Sequence, residues 1–392
     1  MIPYSRQELN RDDIDAVLAV LESDFLTQGS VVPAFEAGLA DYVGASHGVA
    51  VNSATSALHL ACLVLGVGAG DRVWTSPVSF VASANCAFYC DATVDFVDID
   101  PATGNMDPGA LASKLREADG QGLLPKVIIP VHYAGQPCDM SAIAALAKEY
   151  GVRLIEDASH ALGASCQGEL VGGGCYSDIT VFSFHPVKMI TTGEGGALVT
   201  NDQTLADRAR LLRSHGITRD PAFVEHLDQE PWRYAQLELG FNYRMTDVEA
   251  ALGISQLRRL DQFLSSRRRH ANAYLEAFSD GPVTTLQQRP DIESSWHLMS
   301  VQVQPDIRGE LFRRLRADGI GVNVHYMPIY WQPYYRRLGF STGYCPGAEQ
   351  FYHRGISLPL YTQLTEDERQ RVVSLVIHHA ESLMGHNARS GD

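Results

Sequence analysis

Residues Ile179 to Asn201 read ITVFSFHPVKMITTGEGGALVTN, and this stretch decides the fold. It begins as a run of β-branched and aromatic residues, passes through Pro186 to Lys188, and continues through a glycine-rich segment into a second apolar run. The pattern predicts a strand, a turn that holds a lysine, a tight glycine turn and a second strand. Lys188 is therefore expected where a buried sheet ends.

Lysine is rare in this chain, which has four lysines among its 31 basic residues. Only Lys188 lacks an ordinary place on a helix surface or at the start of a strand. A lysine in an apolar, partly desolvated site has a lowered pKa, which frees its amine to act as a nucleophile or Schiff-base partner. The alternative is an amine that forms a salt bridge with Glu194, and this stretch alone leaves both open.

The composition is that of a globular protein, with 392 residues, 45% hydrophobic and 20% charged. The length predicts two domains. The formal charge of −15 disfavours nucleic-acid binding. The seven cysteines are scattered without a C-x-x-C pair, which predicts neither a disulfide framework nor a metal site. No apolar run is long enough to span a membrane and no secretion signal is visible, so we expect a cytoplasmic protein.

Short apolar runs alternate with segments of helical periodicity from Gly48 onward. The runs are GVAVNS, RVWTSP, VDFVDI, KVIIPVHY, RLIEDAS and ITVFSFH. This alternation predicts an α/β fold with a mostly parallel sheet and helices on both faces. Polar residues cluster where the strands stop, and in such sheets ligands bind outside the carboxyl ends, so we expect these residues to share one site. They are Asn52, Ser53, Ser76, His132, Tyr133, Glu156, Asp157, Ser183 and His185.

Two strand ends carry chemistry that fits one ligand. The segment from Asn52 through Ser53 to Thr55 opens an alanine-rich helix, and its free N–H groups form an anion site unless Ser53 merely caps the helix. Asp157 either caps a turn or holds a positive charge, such as a protonated pyridine nitrogen. With Lys188, these features match the imine, pyridinium partner and phosphate cradle that pyridoxal phosphate needs.

The chain resembles the sugar aminotransferases of the DegT/DnrJ/EryC1/StrS family, which are pyridoxal-phosphate enzymes of fold type I. The resemblance covers nearly the whole length. The motifs that carry it are NSATSALHL, SPVSFVASAN, EDASHALGA, FSFHPVKMITTGEGGALVTND, RSHGI, GFNYRMTDVEAALGISQL and VHYMPIYWQPYY. A capping box at Thr246 to Glu249 opens a helix that is expected to run past Arg267. We place the domain boundary along this helix, which gives a large cofactor domain over 1–255 and a smaller α+β domain over 256–392.

The resemblance also implies roles for single residues. Lys188 would form the imine with the cofactor and move protons between cofactor and substrate carbons. The other cofactor contacts it implies are Asp157 at the pyridine nitrogen, His160 at the ring oxygen, Phe80 stacked on the ring, and Ala54, Thr55 and Ser183 at the phosphate. Asn242 would reach the phosphate of a neighbouring subunit, which implies a homodimer with shared active sites. His160 is a departure, because many relatives have glutamine there.

The forms YSRQ, VHYAGQ and FYHRGISLP are most similar to the branch of the family that serves pseudaminic acid biosynthesis. That branch implies transfer of an amino group from L-glutamate, through pyridoxamine phosphate, to C4 of a UDP-linked 4-keto-6-deoxy-N-acetylhexosamine. The substrate would be the L-arabino 4-ulose and the product the altrosamine. Expected substrate contacts are Tyr4, His325, Tyr326 and Arg244.

Three alternatives remain. One is another nucleotide-4-ketosugar aminotransferase, of the bacillosamine, perosamine or aminoarabinose type. A sugar dehydratase of the same family is disfavoured, because that branch has histidine in place of Lys188. A transcription regulator is disfavoured because the chain has neither a basic segment nor room for a helix-turn-helix. The aromatic segment 324–335 could line the substrate pocket or could simply pack the smaller domain.

Overall fold

The computed structural model describes residues 1–390, with side chains described through Gly385. The helices are α1 Arg11–Leu21, α2 Val31–Val43, α3 Ala54–Val64, α4 Ala82–Phe88, α5 Pro108–Gln121, α6 Met140–Glu149, α7 Gln203–Arg213, α8 Asp247–Leu257, α9 Leu260–Ala277, α10 Pro305–Ala317, α11 Pro333–Arg336, α12 Pro346–Arg354 and α13 Glu366–Ser390. The strands of the main sheet are β1 His47–Val51, β2 Arg72–Thr75, β3 Thr93–Phe96, β4 Val127–Ile129, β5 Arg153–Asp157, β8 Ile179–Ser183 and β9 Gly196–Thr200. The shorter strands are β6 Ser165–Cys166, β7 Glu169–Leu170, β10 Ile217–Thr218, β11 Ala235–Gln236, β12 Thr284–Thr285, β13 Ile292–Glu293, β14 Met299–Gln302 and β15 Gly355–Leu358.

A seven-stranded sheet in the order β1-β9-β8-β5-β4-β2-β3 forms the centre of the fold. Only β9 runs against its neighbours, so six strands point the same way. The apolar runs predicted as strands are β1, β2, β3, β4, β5 and β8, which confirms the α/β prediction. Because six carboxyl ends meet at one edge, the loops that follow them can build one site.

The stretch 179–201 forms the two strands expected of it. β8 pairs with β9 in antiparallel register, with Ser183 opposite Gly196. The intervening loop holds Lys188 and turns at Gly193, whose φ of 87° favours glycine. Four of the five residues of β8 and all five of β9 are buried, as a strand covered on both faces requires.

The helix that starts at the Thr246 capping box is shorter than expected. Thr246 Oγ1 accepts from the Glu249 N–H, and the Glu249 carboxylate accepts from the Thr246 N–H. However, α8 ends at Leu257 and α9 begins at Leu260, so the single helix expected to run past Arg267 is two helices. The break comes just after Gln256, whose side-chain amide donates to the Glu8 carbonyl and to the Asp13 carboxylate.

The second half of the chain has its own buried core. Helices α10 and α13 and strands β14 and β15 enclose it, and Ile2 packs into it from the other end of the chain. The proposed boundary near residue 255 falls inside α8 and stays a prediction. Among the described residues, no helix is long and apolar enough to cross a membrane.

One apolar helix face is left uncovered. In α1 only Asp13 and Val20 are buried, whereas Ile14 and Leu21 are each 54% exposed. The nearby Phe25 is 61% exposed. These three apolar side chains therefore lie outside the buried core of their own chain.

Candidate active site

A cavity of about 670 Å³ lies at the carboxyl edge of the main sheet. Its walls come from the segments after β1, β2, β5 and β8, from residues 323–327, and from Tyr4. Ten of the twelve residues expected to contact cofactor or substrate line it: Tyr4, Ala54, Thr55, Phe80, Asp157, His160, Ser183, Lys188, His325 and Tyr326. The fold thus brings together residues that are up to 322 positions apart (326 − 4).

Lys188 lies in the wall of the cavity without a carboxylate partner. Within residues 1–385, no carboxylate forms a salt bridge with its Nζ, so the expected alternative of a pair with Glu194 is wrong. Burial lowers the pKa of the amine from 10.5 to about 8, and the negative charge of Asp157 offsets part of that effect. A larger fraction of this amine is therefore neutral near pH 7 than of a surface lysine.

Asp157 ends β5 with its carboxylate held from two sides. Ser83 Oγ donates to Oδ2 at 2.6 Å, and the Ser159 N–H donates to Oδ1 at 3.1 Å. The residue is only 4% exposed. A buried carboxylate with two fixed donors is held in one orientation, which suits it to contact a cationic group in the cavity.

The neighbouring Glu156 faces away from the cavity. Successive side chains of a strand point to opposite faces, and Glu156 pairs with His132 Nε2 at 2.7 Å and accepts from Ser177 Oγ at 2.5 Å. His132 Nδ1 accepts from the Cys138 N–H at 3.1 Å. The expectation that all polar strand ends share one site is therefore wrong for His132 and Glu156, which bond to each other instead. Asn52, Ser76 and Tyr133 do not line the cavity either.

The first turn of α3 opens into the cavity. Ser53 caps the helix, because its Oγ accepts from the Ser56 N–H at 3.1 Å. The N–H groups of Ala54 and Thr55 belong to the first turn, where an α-helix has no internal acceptor for them. Gly196 lies so close that a Cβ there would be 2.3 Å from Ala54 N. Capping by Ser53 is therefore compatible with an anion at these N–H groups, and Ser183, which lies opposite Gly196, is beside this helix N-terminus.

Phe80 and His160, which are expected to contact the ring of a flat cofactor, both line the cavity. Phe80 is 60% exposed although it lines the cavity, so a planar ring can cover its face. His160 Nε2 lies 3.2 Å from the Tyr326 hydroxyl. Burial lowers the pKa of His160 well below its usual value, and Lys188 lowers it further, so this imidazole is neutral at pH 7. The described residues therefore fit pyridoxal phosphate.

His325 lines the cavity, but both its ring nitrogens are bonded within the chain. Asn323 Oδ1 accepts from the Val324 N–H at 2.8 Å, which turns the Asn323 amide nitrogen toward His325 Nε2 at 3.3 Å. His325 Nε2 is then the acceptor, and Nδ1–H donates to Ser357 Oγ at 2.8 Å. A substrate can reach only the face of this ring, so its role as a substrate contact stays a prediction.

Asn242 and Arg244 are the two expected residues that do not line this cavity. Their segment is anchored through its backbone, since the Tyr243 carbonyl accepts from the Asn52 N–H at 2.9 Å. The rings of Phe241 and Tyr243 stack at 4.9 Å on one side of the segment. Asn242 is exposed, so any role in phosphate binding would have to be in another subunit and stays a prediction.

The aromatic segment 324–335 lines the cavity at one end and packs at the other, but against the main sheet and not in the core of the smaller domain. Val324 to Met327 line the cavity, whereas Tyr330 and Tyr335 are buried against Phe96.

The sequence analysis missed Ser83, although it follows Ser79 by four residues and the two hydroxyls lie 2.7 Å apart. That spacing in SPVSFVASAN was a usable signal.

Comparison with known proteins gives one consistent family. Residues 7–377 match the model of the DegT/DnrJ/EryC1/StrS aminotransferase family. A UDP-4-amino-4,6-dideoxy-N-acetyl-beta-L-altrosamine transaminase of Campylobacter jejuni is 40% identical over 93% of both chains. Helicobacter pylori PseC, an aminotransferase involved in the biosynthesis of pseudoaminic acid, superposes with a TM-score of 0.88 at 34% identity, over 97% of this chain and 99% of that one. The sugar aminotransferase Spr1654 of Streptococcus pneumoniae is described as putative and was solved in its PMP form. It superposes with a TM-score of 0.90 at 30% identity, over 97% of this chain and 100% of that one.

Proposed function

Since this chain belongs to the DegT/DnrJ/EryC1/StrS aminotransferase family and is a sugar aminotransferase, we propose that it uses pyridoxal phosphate to aminate C4 of a UDP-linked 4-keto-6-deoxy-N-acetylhexosamine, with L-glutamate as the amino donor. One observation carries the proposal. A desolvated lysine, a fixed carboxylate and an open helix N-terminus line one cavity, at Lys188, Asp157 and Ala54.

The cofactor supplies an electron sink when it is bound. Lys188 would bind the cofactor and act as general acid and base, because its pKa of about 8 lets it give and take a proton near neutral pH. Asp157 would keep the pyridine nitrogen protonated, with Ser83 and the Ser159 N–H holding the carboxylate in place. Bulk solvent has little access to the Asp157 carboxylate, because the residue is only 4% exposed.

The remaining contacts would orient the cofactor. The N–H groups of Ala54 and Thr55, with the hydroxyl of Ser183, would bind its phosphate, because a helix N-terminus favours an anion. Phe80 would cover one face of the ring, and His160 would face the ring oxygen. These five assignments rest on the lining of the cavity and on the resemblance to the family.

The sugar is the L-arabino 4-ulose that leads to the altrosamine of pseudaminic acid biosynthesis. The 40% identity to the Campylobacter altrosamine transaminase and the likeness to PseC support this choice. Tyr4, His325 and Tyr326 line the cavity and would contact the sugar. Arg244 is the remaining candidate contact.

The active enzyme is a homodimer with shared sites. The uncovered apolar residues of α1 and the following turn, including Ile14, Leu21 and Phe25, offer a surface that a second copy would bury. Asn242 is exposed in the segment between α7 and α8, where the neighbouring Tyr243 carbonyl accepts from the Asn52 N–H. It would reach the phosphate site of the partner from there.

The visible absorption spectrum tests both halves of the proposal. Purified protein reconstituted with pyridoxal phosphate is expected to show the cofactor's yellow band, which bleaches with L-glutamate and returns with the UDP-linked L-arabino 4-ketosugar. The Lys188→Ala variant is expected to do neither, whereas Lys148→Ala, which changes an exposed lysine of α6, should behave as wild type. Bleaching without recovery would reject the pseudaminic substrate but keep the aminotransferase. A protein that never acquires the band would reject the role of Lys188.

A further inference from the structure

Two buried histidines face each other behind the cavity, and each has a ring nitrogen without a partner. The rings of His160 and His297 lie 4.4 Å apart between centroids, at an angle of 46°. The two residues are 5% and 2% exposed. Within residues 1–385, neither Nδ1 atom has a hydrogen-bond partner. We refer to these two rings as the imidazole pair.

The backbone holds the imidazole pair together. Ser295 Oγ donates to the His160 carbonyl at 2.7 Å, and the Ser295 N–H donates to Gly135 O at 3.0 Å. Arg267 Nη1 donates to the His297 carbonyl at 3.3 Å. These bonds fix the positions of the two backbones that carry the rings.

Both rings are neutral, which makes their hydrogen bonding complementary. Burial lowers the pKa of each well below its usual value, and the positive charge of Lys188 lowers both further. His325 also lowers both, and Arg267 lowers that of His297. A neutral imidazole has one N–H donor and one bare acceptor. An unpaired buried donor or acceptor destabilises the folded state, and one hydrogen-bonded link between the two Nδ1 atoms removes that cost for both rings.

We propose that His297 is a positioning residue which donates its Nδ1–H through one water to Nδ1 of His160, and so fixes His160 as the tautomer that carries its proton on Nε2. His160 Nε2–H then donates to the Tyr326 hydroxyl, 3.2 Å away, whose own proton is left free for the cavity. The chain of hydrogen bonds is directed from His297 through His160 to Tyr326.

The chemistry of the cavity selects this direction over the reverse one. The inference rests on the proposed function, in which the cavity holds an anionic cofactor and its ring oxygen faces His160. In the reverse direction, Tyr326 would donate its proton to His160 Nε2 and would turn only lone pairs toward that oxygen. In the proposed direction the Tyr326 O–H is the donor that faces the cavity, and a donor stabilises negative charge on a ligand oxygen.

Nitrogen NMR of selectively ¹⁵N-histidine-labelled protein tests the tautomer directly. Spectra of wild type and the His160→Gln variant identify the His160 signals, with and without pyridoxal phosphate and with no substrate present. In wild type the cofactor-loaded protein is expected to show His160 with a bare Nδ1 and a protonated Nε2. A proton on Nδ1 would overturn the proposal. Since no turnover is needed, a wrong sugar or amino donor would leave this result untouched.

Variants of His297 test the positioning role. His297→Phe is expected to change the tautomer of His160 and to lower kcat roughly tenfold, the order of loss seen when an outer partner of a functional imidazole is removed, with KM unchanged. His297→Gln keeps an N–H donor and should restore both readouts. His270→Phe is the matched control, since His270 is 4% exposed and its Nε2 also lacks a partner, but it does not line the cavity.

Each outcome of the variant series decides the inference. An unchanged His160 spectrum in His297→Phe would overturn it, as would an equal loss of kcat in His270→Phe. If His297→Phe does not fold, His297→Gln and the wild-type spectrum still decide. Failure of His297→Gln to keep the Nε2 proton on His160 would count against it.

Discussion

Replacing Lys188 by methionine should make the cofactor-free protein more stable. The folded state lowers the pKa of this amine from 10.5 to about 8 because it is desolvated. One pKa unit corresponds to about 1.4 kcal/mol, so at pH 7 the buried amine costs up to about 3 kcal/mol of folding free energy, less what water in the cavity recovers. Methionine fills nearly the same volume without a charge, so the Lys188→Met variant does not carry this cost.

The pH dependence distinguishes this cause from a change in packing. Between the folded and unfolded pKa values the unfolded state binds more protons, so the stability of wild type rises as the pH increases from about 8 toward 10.5. The advantage of the variant is therefore expected to fall to about 1.5 kcal/mol near pH 9.5. Stability gained through packing alone would not depend on pH in this way.

Urea unfolding of the cofactor-free protein at pH 7 and near pH 9.5 measures the effect, from the midpoint and the slope of each curve. Lys148→Met is the matched control, because this lysine is exposed on α6, and its change should stay within about 0.5 kcal/mol at both pH values. A Lys188→Met protein that is no more stable than wild type at pH 7, or whose advantage is the same at both pH values, would refute the reasoning.

Three further changes test the other parts of the site. Gly196→Ala places a Cβ 2.3 Å from Ala54 N, so the affinity for pyridoxal phosphate, measured by fluorescence titration, should fall at least tenfold, whereas Gly68→Ala, with open space around it, should not change it. Asp157→Asn removes a charge pair worth about 4 kcal/mol at 4 Å and an effective dielectric of 20, so single-turnover bleaching by glutamate should slow roughly 1,000-fold while the circular dichroism spectrum stays the same. Ser83→Ala removes one of the two donors to that carboxylate, a loss of about 1–3 kcal/mol, so single-turnover bleaching should slow less than in Asp157→Asn. Equal slowing in the two variants would show that the hydroxyl does more than orient the carboxylate.

The sheet and the cavity could be predicted because their signals are local. β5 and β8 are visible as apolar runs, and a parallel sheet brings their carboxyl ends to one edge, which places Asp157 and Lys188 together. The strand order could not be predicted in this way, because it depends on which apolar faces meet in three dimensions. The prediction that Glu156 shares the site was wrong because the alternation of side chains along β5 was not applied to it.

Other features carry no signal along the chain. His297 follows Trp296 in a segment that reads as an ordinary strand start, and only the packing of this segment against Gly135 brings it behind His160. The exposure of Ile14 and Leu21 in α1 is a similar case, because helical periodicity does not say which surface covers an apolar face. The bonds of His325 to Asn323 and Ser357 depend equally on tertiary contacts.

The attachment of residues 2–4 has a consequence for the order in which the protein is made. Ile2 pairs with Ile320 as a parallel bridge, and the Leu360 N–H donates to the Tyr4 carbonyl at 3.0 Å. A ribosome that adds about 5–20 residues per second needs roughly 20–70 s to pass from residue 4 to residue 360. Tyr4 therefore stays without its native neighbours for most of synthesis, and the wall of the cavity that it forms is among the last parts of the site to be completed.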